Sequence, residues 1–204
     1  MNAEISFIVS LAAYYLFRSL IGSYHKQRLL RIIKPLHGAF GGKVLPGIGR
    51  ITHAFRYQDH DFAIILSAGN SWSSYDPDTR AAVNIIIYPK IQNADFTLKR
   101  KIWFLTLLKT LHLHTPRIDN LNNAFYAYGN VPDNIAFAFN DPALTTQFDT
   151  WLFSSQSVIY CNSFGLIIAQ NPGWPWKLKH LLSPAIIKQT LEQLIAARKK
   201  LAVN

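Results

Sequence analysis

Residues 5–22, ISFIVSLAAYYLFRSLIG, hold one charged side chain, Arg18, and this stretch constrains the chain more than any other. A helix rising 1.5 Å per residue would carry it across about 27 Å, just short of the hydrocarbon thickness of a bilayer. Between residues 5 and 17 only Ser6 and Ser10 are polar, so the helix has no face suited to water. The expectation is a single-pass transmembrane anchor built from Ile5, Phe7, Ile8, Val9, Leu11, Tyr14, Tyr15, Leu16 and Phe17. The competing reading is one long helix over 5–33, packed in the core or against a partner.

The flanks of the stretch give it a direction. It starts with Met-Asn-Ala-Glu rather than a basic segment, and Arg18, Lys26 and Arg28 follow it, which is unlike a cleaved secretory signal. The positive-inside rule then places the N-terminus outside and the rest in the cytoplasm, so the expected location is the inner (cytoplasmic) membrane. Beyond Gly22, Leu29, Leu30, Ile32 and Ile33 alternate with Arg28, Arg31 and Lys34 in a basic amphipathic helix that Pro35 should stop. Arg18, Lys26, Arg28, Arg31 and Lys34 are therefore expected to contact lipid headgroups, each contributing on the order of 1 kcal/mol at an anionic surface.

The net charge of +10 is a property of the two ends. From Arg18 to Arg50 there are seven basic residues and no acidic one, and from Lys177 onward six against Glu192 alone. Residues 51–176 hold eight basic and nine acidic side chains, so the body offers no continuous basic face for a phosphate backbone, and nucleic acid is not an expected partner. The lone Cys161 excludes an intramolecular disulfide framework and a Cys-rich zinc site, and it reads as a small buried hydrophobe within Ser157–Cys161.

Along the body the signals alternate between strand and helix. His37–Gly49 carries five glycines and a proline and reads as a flexible junction; Gly42-Lys43 is followed by Val44, which removes a phosphate loop from consideration. Ile51, His53, Phe55 and Tyr57 alternate with polar residues, turn at 58–61 and return over Phe62–Ser67 as a β-hairpin. Val83–Tyr88 reads as a third strand, Phe96–Leu111 as a helix by length, and Asn123–Tyr128 as a further strand. Asp141-Pro142 opens a helix to about Phe153 with Asp as N-cap. Val158–Tyr160 and Leu166–Ala169 form a second hairpin, with Gly165 available for a positive φ. Ser183-Pro184 starts a last amphipathic helix to about Leu201 with Ile187, Leu191, Leu194, Ile195 and Ala197 inside. The fold class expected is α+β: an N-terminal transmembrane helix, then a compact domain of antiparallel sheet and packed helices. The divisions are 1–35 for the anchor and juxtamembrane helix, 36–50 for the glycine-rich junction and 51–204 for the domain.

No catalytic constellation stands out. His112 and His114 lack a third ligand in register, Asp59-His60-Asp61 and Asp76-Pro77-Asp78 read as turns, and no G-x-S-x-G, H-E-x-x-H or dinucleotide fingerprint is present. No catalytic residue, metal ligand, cofactor or small-molecule substrate is therefore assigned. An enzyme would have to assemble a site from residues such as His53, His60, His112 and Asp119. Asn171–Leu182 is richer: Trp174 and Trp176 beside Lys177, Lys179 and His180 have the character of a membrane-interface belt, or of tryptophans packed in the core.

Gly41-Gly42, the hairpin after it, Asn122-Asn123-Ala124-Phe125-Tyr126-Ala127-Tyr128, Pro132-Asp133, Asp141-Pro142-Ala143-Leu144 and the closing hairpin Ser157–Ala169 follow one another over about two-thirds of the chain. In this order the chain resembles a family of bacterial membrane-associated proteins of unknown function. The resemblance implies membrane association and carries no catalytic residues. Together these readings lead to the expectation of a non-enzymatic, single-pass accessory or scaffold subunit of a membrane protein complex, with the membrane and other subunits as partners. The alternative is a peripheral lipid-binding module using residues 24–34 and 174–180.

Overall fold

A computed structural model describes residues 3–47, 50–67, 82–89, 91–101, 111, 116, 118–121, 125–152, 157–170 and 175–202. The chain begins with one helix, α1, over Ala3–Phe40. Nine strands follow as β1 (Lys43–Pro46), β2 (Arg50–Tyr57), β3 (His60–Ser67), β4 (Ala82–Ile87), β5 (Asp95–Arg100), β6 (Ile118–Leu121), β7 (Phe125–Asn130), β8 (Val158–Cys161) and β9 (Leu166–Gln170). Between β7 and β8 stand α2 (Asp133–Ala138) and α3 (Pro142–Trp151), and after β9 come α4 (Pro175–Leu181) and α5 (Pro184–Ala202). The strands form one antiparallel sheet in the order β1-β2-β3-β4-β9-β8-β5-β7-β6.

The α+β class and the antiparallel sheet agree with the sequence; the membrane span does not. Among the described residues no helix is long and apolar enough to cross a membrane. The apolar stretch and the basic stretch are one continuous helix that runs through Pro35 to Phe40. Ser10, Tyr14, Tyr15, Ser19, Ser23 and Tyr24 dilute its upper turns, and its last turns pack on the domain instead of leaving it. The single-pass topology, its orientation and the inner-membrane location inferred from it fall with the span. The junction also changes character: Pro35 does not end the helix, and the expected flexible segment contains β1, paired to β2 from Lys43↔Ala54 to Pro46↔Ile51.

Register follows from alternation. Ile51, His53 and Phe55 on β2 pair with Leu66, Ile64 and Phe62 on β3, which continue to Val83, Ile85 and Ile87 on β4. Across β9, β8 and β5 the same face carries Leu166, Ile168, Ile159, Cys161, Phe96 and Leu98. All of these except His53, which is itself buried, belong to one cluster with the inner residues of the helices, Cys161 included. The stretch expected to be helical from Phe96 begins instead as strand β5, because Phe96 and Leu98 point inward while Thr97 and Lys99 point away; residues 102–110 lie outside the described residues.

Turn chemistry pins the register. Gln58 and Asp59 both take positive φ, the two-residue hairpin geometry that matches the strand twist. Gly165 is not in that region. A side chain there would collide with the Ile87 carbonyl of β4, so glycine serves close strand approach where β9 joins the sheet. Asp141 caps α3 as expected, its Oδ1 accepting from the Ala143 amide at 2.8 Å. In α5, Ile187, Leu191, Leu194, Ile195, Ala197 and Leu201 are buried.

Candidate functional site

The two parts of α1 define the region of interest. Leu29, Ile33 and Leu36, spaced by four and three residues, lie on one helical face and are buried against the sheet and α5. Above them every described side chain from Val9 to Arg28 is exposed. Val9, Leu11, Tyr14, Tyr15, Leu16, Leu20 and Tyr24 are between 45% and 65% exposed, levels ordinarily met by polar side chains. At 100° per residue they spread around the whole circumference. This arm carries apolar side chains on every side, and none of its described side chains is buried.

The root of α1 is built with more precision. After Phe40 the chain turns through Gly41 and Gly42, both at positive φ (65° and 88°). Open space surrounds Gly41, but a side chain on Gly42 would run into the Ala54 carbonyl and Phe55. Only glycine lets β1 lie this close to β2. His53 is fully buried beneath the turn. Its Nε2–H donates to the Gly41 carbonyl oxygen at 2.6 Å, and its Nδ1 has no hydrogen-bond partner among the described residues. The ring meets His37 edge-on at 5.7 Å and Phe55 at 4.8 Å. Burial pushes the His53 pKa below its ordinary value of 6.5; the Gly41 bond opposes this and the nearby His37 adds to it. His53 is thereby a neutral latch between helix and sheet.

Beside the latch lies a groove of about 480 Å³ lined by Ala39, Phe40, Tyr57, Pro184, Ala185 and Lys188. Phe40 stacks on Phe55 at 5.3 Å and meets Tyr57 edge-on at 5.8 Å, so two aromatic rings form its inner wall. The Tyr57 hydroxyl donates to Glu192 Oε1 at 3.0 Å and accepts from Gln58 Nε2 at 3.3 Å. Burial and the Glu192 carboxylate raise its pKa. Lys188 stands at the rim, exposed, with no carboxylate paired to it among the described residues.

The sequence-derived residues divide accordingly. Val9, Leu11, Tyr14, Tyr15 and Leu16 are exposed on the arm, while the side chains of Ile5, Phe7, Ile8, Phe17 and Arg18 lie outside the described residues. Lys26, Arg28, Arg31 and Lys34 are exposed along α1. Trp174 lies outside the described residues, as do the side chains of Trp176 and Lys177 on α4; Lys179 and His180 are exposed there.

The residues of a hypothetical enzyme are not brought together. His53 is on β2 and Asp119 on β6, at the far edge of the sheet, while His60 lies near Arg198 and Lys199; burial first and these two cations next lower its pKa. His112 lies outside the described residues. No group of three metal-ligating side chains gathers among the described residues. Sequence reasoning missed the groove, because its lining comes from three segments, one of them more than a hundred residues from the other two. The only available signal was aromatic Phe40 directly before the glycine pair.

No family model matches the chain, and no curated protein matches it.

Proposed function

We propose that this protein is an accessory subunit of a larger assembly that docks by inserting the α1 arm between partner elements. The observation that supports this is the arm itself: seven large hydrophobic side chains, each between 45% and 65% exposed, distributed around a helix. A helix apolar on all sides is stable when enclosed, and a flat surface would cover only half of it. Enclosure by a partner's helices buries both sides, at about 25 cal/mol per Å² of apolar surface removed from water. The test is site-specific photo-crosslinking in cells from positions 14, 15 and 16, which at 100° per residue face different directions. Crosslinks from all three to the same partner are expected. A protein that gives no adduct from any of them and behaves as a free monomer would refute docking through the arm.

A second reading rests on a different observation. Lys26, Arg28, Arg31 and Lys34 are exposed, and no acidic residue stands between Arg18 and Arg50. That suits a peripheral contact with anionic lipid headgroups. It predicts salt-sensitive flotation with anionic vesicles and none with neutral ones; equal flotation with both would remove it.

A further inference from the structure

The groove and the basic residues of α1 belong to one surface. Arg28, Ile32, Pro35 and Ala39 are spaced by four, three and four residues and so form a single stripe down the helix. Arg31 flanks the stripe, one turn above Pro35. Its lower end is Ala39, which is also a wall of the 480 Å³ groove. Across the groove stands Lys188 of α5. Arg28, Arg31 and Pro35 are exposed, Ile32 is half-buried, and the three cations have no carboxylate partner among the described residues. The surface thus offers apolar contact along its middle, positive charge on its flanks and an aromatic-walled recess at its foot.

We propose that this surface is the docking site for an acidic helical segment of a partner protein, which seats one apolar side chain in the groove against Phe40 and Tyr57 and pairs its carboxylates with Arg28, Arg31 and Lys188. The proposal rests on the accessory-subunit reading and names the partner's chemistry. Charge complementarity selects the occupant. A second copy of the chain would bring like charges together along α1, and a basic partner would meet the same repulsion. A recess of this volume accommodates a large side chain and sets it against an aromatic wall, the arrangement in which one anchor residue carries much of the binding energy. Guanidinium groups supply paired donors that match carboxylates, which sets the direction of the incoming helix.

The experiment uses the full chain and a fluorescein-labelled, helix-forming peptide of about five turns with leucine on one face and glutamate on both flanks. Its lysine-for-glutamate counterpart is the control, and vesicles of phosphatidylglycerol and phosphatidylcholine are a competitor. Two variants probe the groove: Ala185→Trp, an exposed position from which indole fills the recess, and Lys188→Glu. Unfolding midpoints equal to that of the unaltered chain show that both variants fold. The acidic peptide is expected to bind in preference to the basic one and to lose about tenfold or more in affinity with either variant. The arm variant Leu16→Ser should leave this affinity unchanged, so a failed arm reading and a failed groove reading give different patterns. Equal binding of the two peptides, or an acidic peptide insensitive to Ala185→Trp, overturns the proposal. So does displacement of the peptide by the anionic vesicles, which would identify lipid as the occupant.

Discussion

The first and last helices teach opposite lessons about what a helix is for. α5 has 19 residues and buries six side chains, while α1 has 38 and buries three among those described. Both carry apolar residues throughout. In α5 they recur every three or four positions and leave Lys188 and Lys199 exposed, so the apolar face of the helix is used by its own domain. In α1 that periodicity holds only from Leu29 onward, and the turns before it are apolar without direction. One helix is an internal support; the other is a support for about three turns and an external element above them.

The largest expected effect lies on the supporting side of this contrast. Leu191 is fully buried at the centre of α5, and Leu191→Ala should lower stability by about 2–5 kcal/mol, measured by denaturant unfolding. A loss below about 1 kcal/mol would mean that α5 is no more integral than the arm. The glycine pair below α1 comes next. Gly42→Ala combines a left-handed backbone with a collision against the Ala54 carbonyl and should cost about 2 kcal/mol or more; Gly41→Ala has the backbone penalty alone, about 1 kcal/mol. Equal losses at the two positions would show that close approach of β1 to β2 does not fix the root of α1.

The parts legible in the sequence were those specified by near neighbours. The β2–β3 hairpin, the Asp141 cap and the inner face of α5 each rest on a period or a turn contained within twenty residues. Strand order was not legible. The β8–β9 hairpin inserts between β4 and β5, which are adjacent in sequence, and nothing local to Val158–Gln170 states this. Its one trace is Gly165, which a sequence reader assigns to turn flexibility and which in the fold clears the Ile87 carbonyl. The apolar N-terminus was legible as unusual and misassigned as a span, because the same composition serves lipid and protein surroundings. The groove stayed invisible because Ala39, Tyr57 and Lys188 become neighbours only after the sheet forms.

The latch at the root provides a pH test of intermediate size. His53 is held neutral in the folded protein with a pKa below 6.5, whereas the unfolded chain protonates near that ordinary value. Above about pH 6.5 both states are neutral and the latch contributes fully. As pH falls below 6.5 the unfolded state takes up a proton that the folded state refuses, so stability declines by up to about 1.4 kcal/mol per pH unit until His53 itself protonates. His60 contributes in the same direction, since its pKa is also lowered. Unfolding midpoints between pH 7.5 and 5 should therefore drop, and His53→Gln should remove the larger share of the slope. If the slope is the same in His53→Gln, the root of α1 is not held by a neutral imidazole.

The smallest expected effect bears most directly on function. Leu16 is 64% exposed on the arm, so Leu16→Ser should change the stability of the isolated chain by no more than about 0.5 kcal/mol, within the range of surface substitutions. The same change places a hydroxyl in the middle of an apolar docking element, where enclosure by a partner would leave it desolvated. It should therefore weaken assembly while leaving the unfolding midpoint in place. A core residue behaves in the reverse manner, with its fold failing before its contacts do. Should Leu16→Ser lower stability as Leu191→Ala does, the arm is part of the domain's own core and the division of α1 into root and arm is wrong. Should it change neither stability nor assembly, the upper turns of α1 are not the docking element.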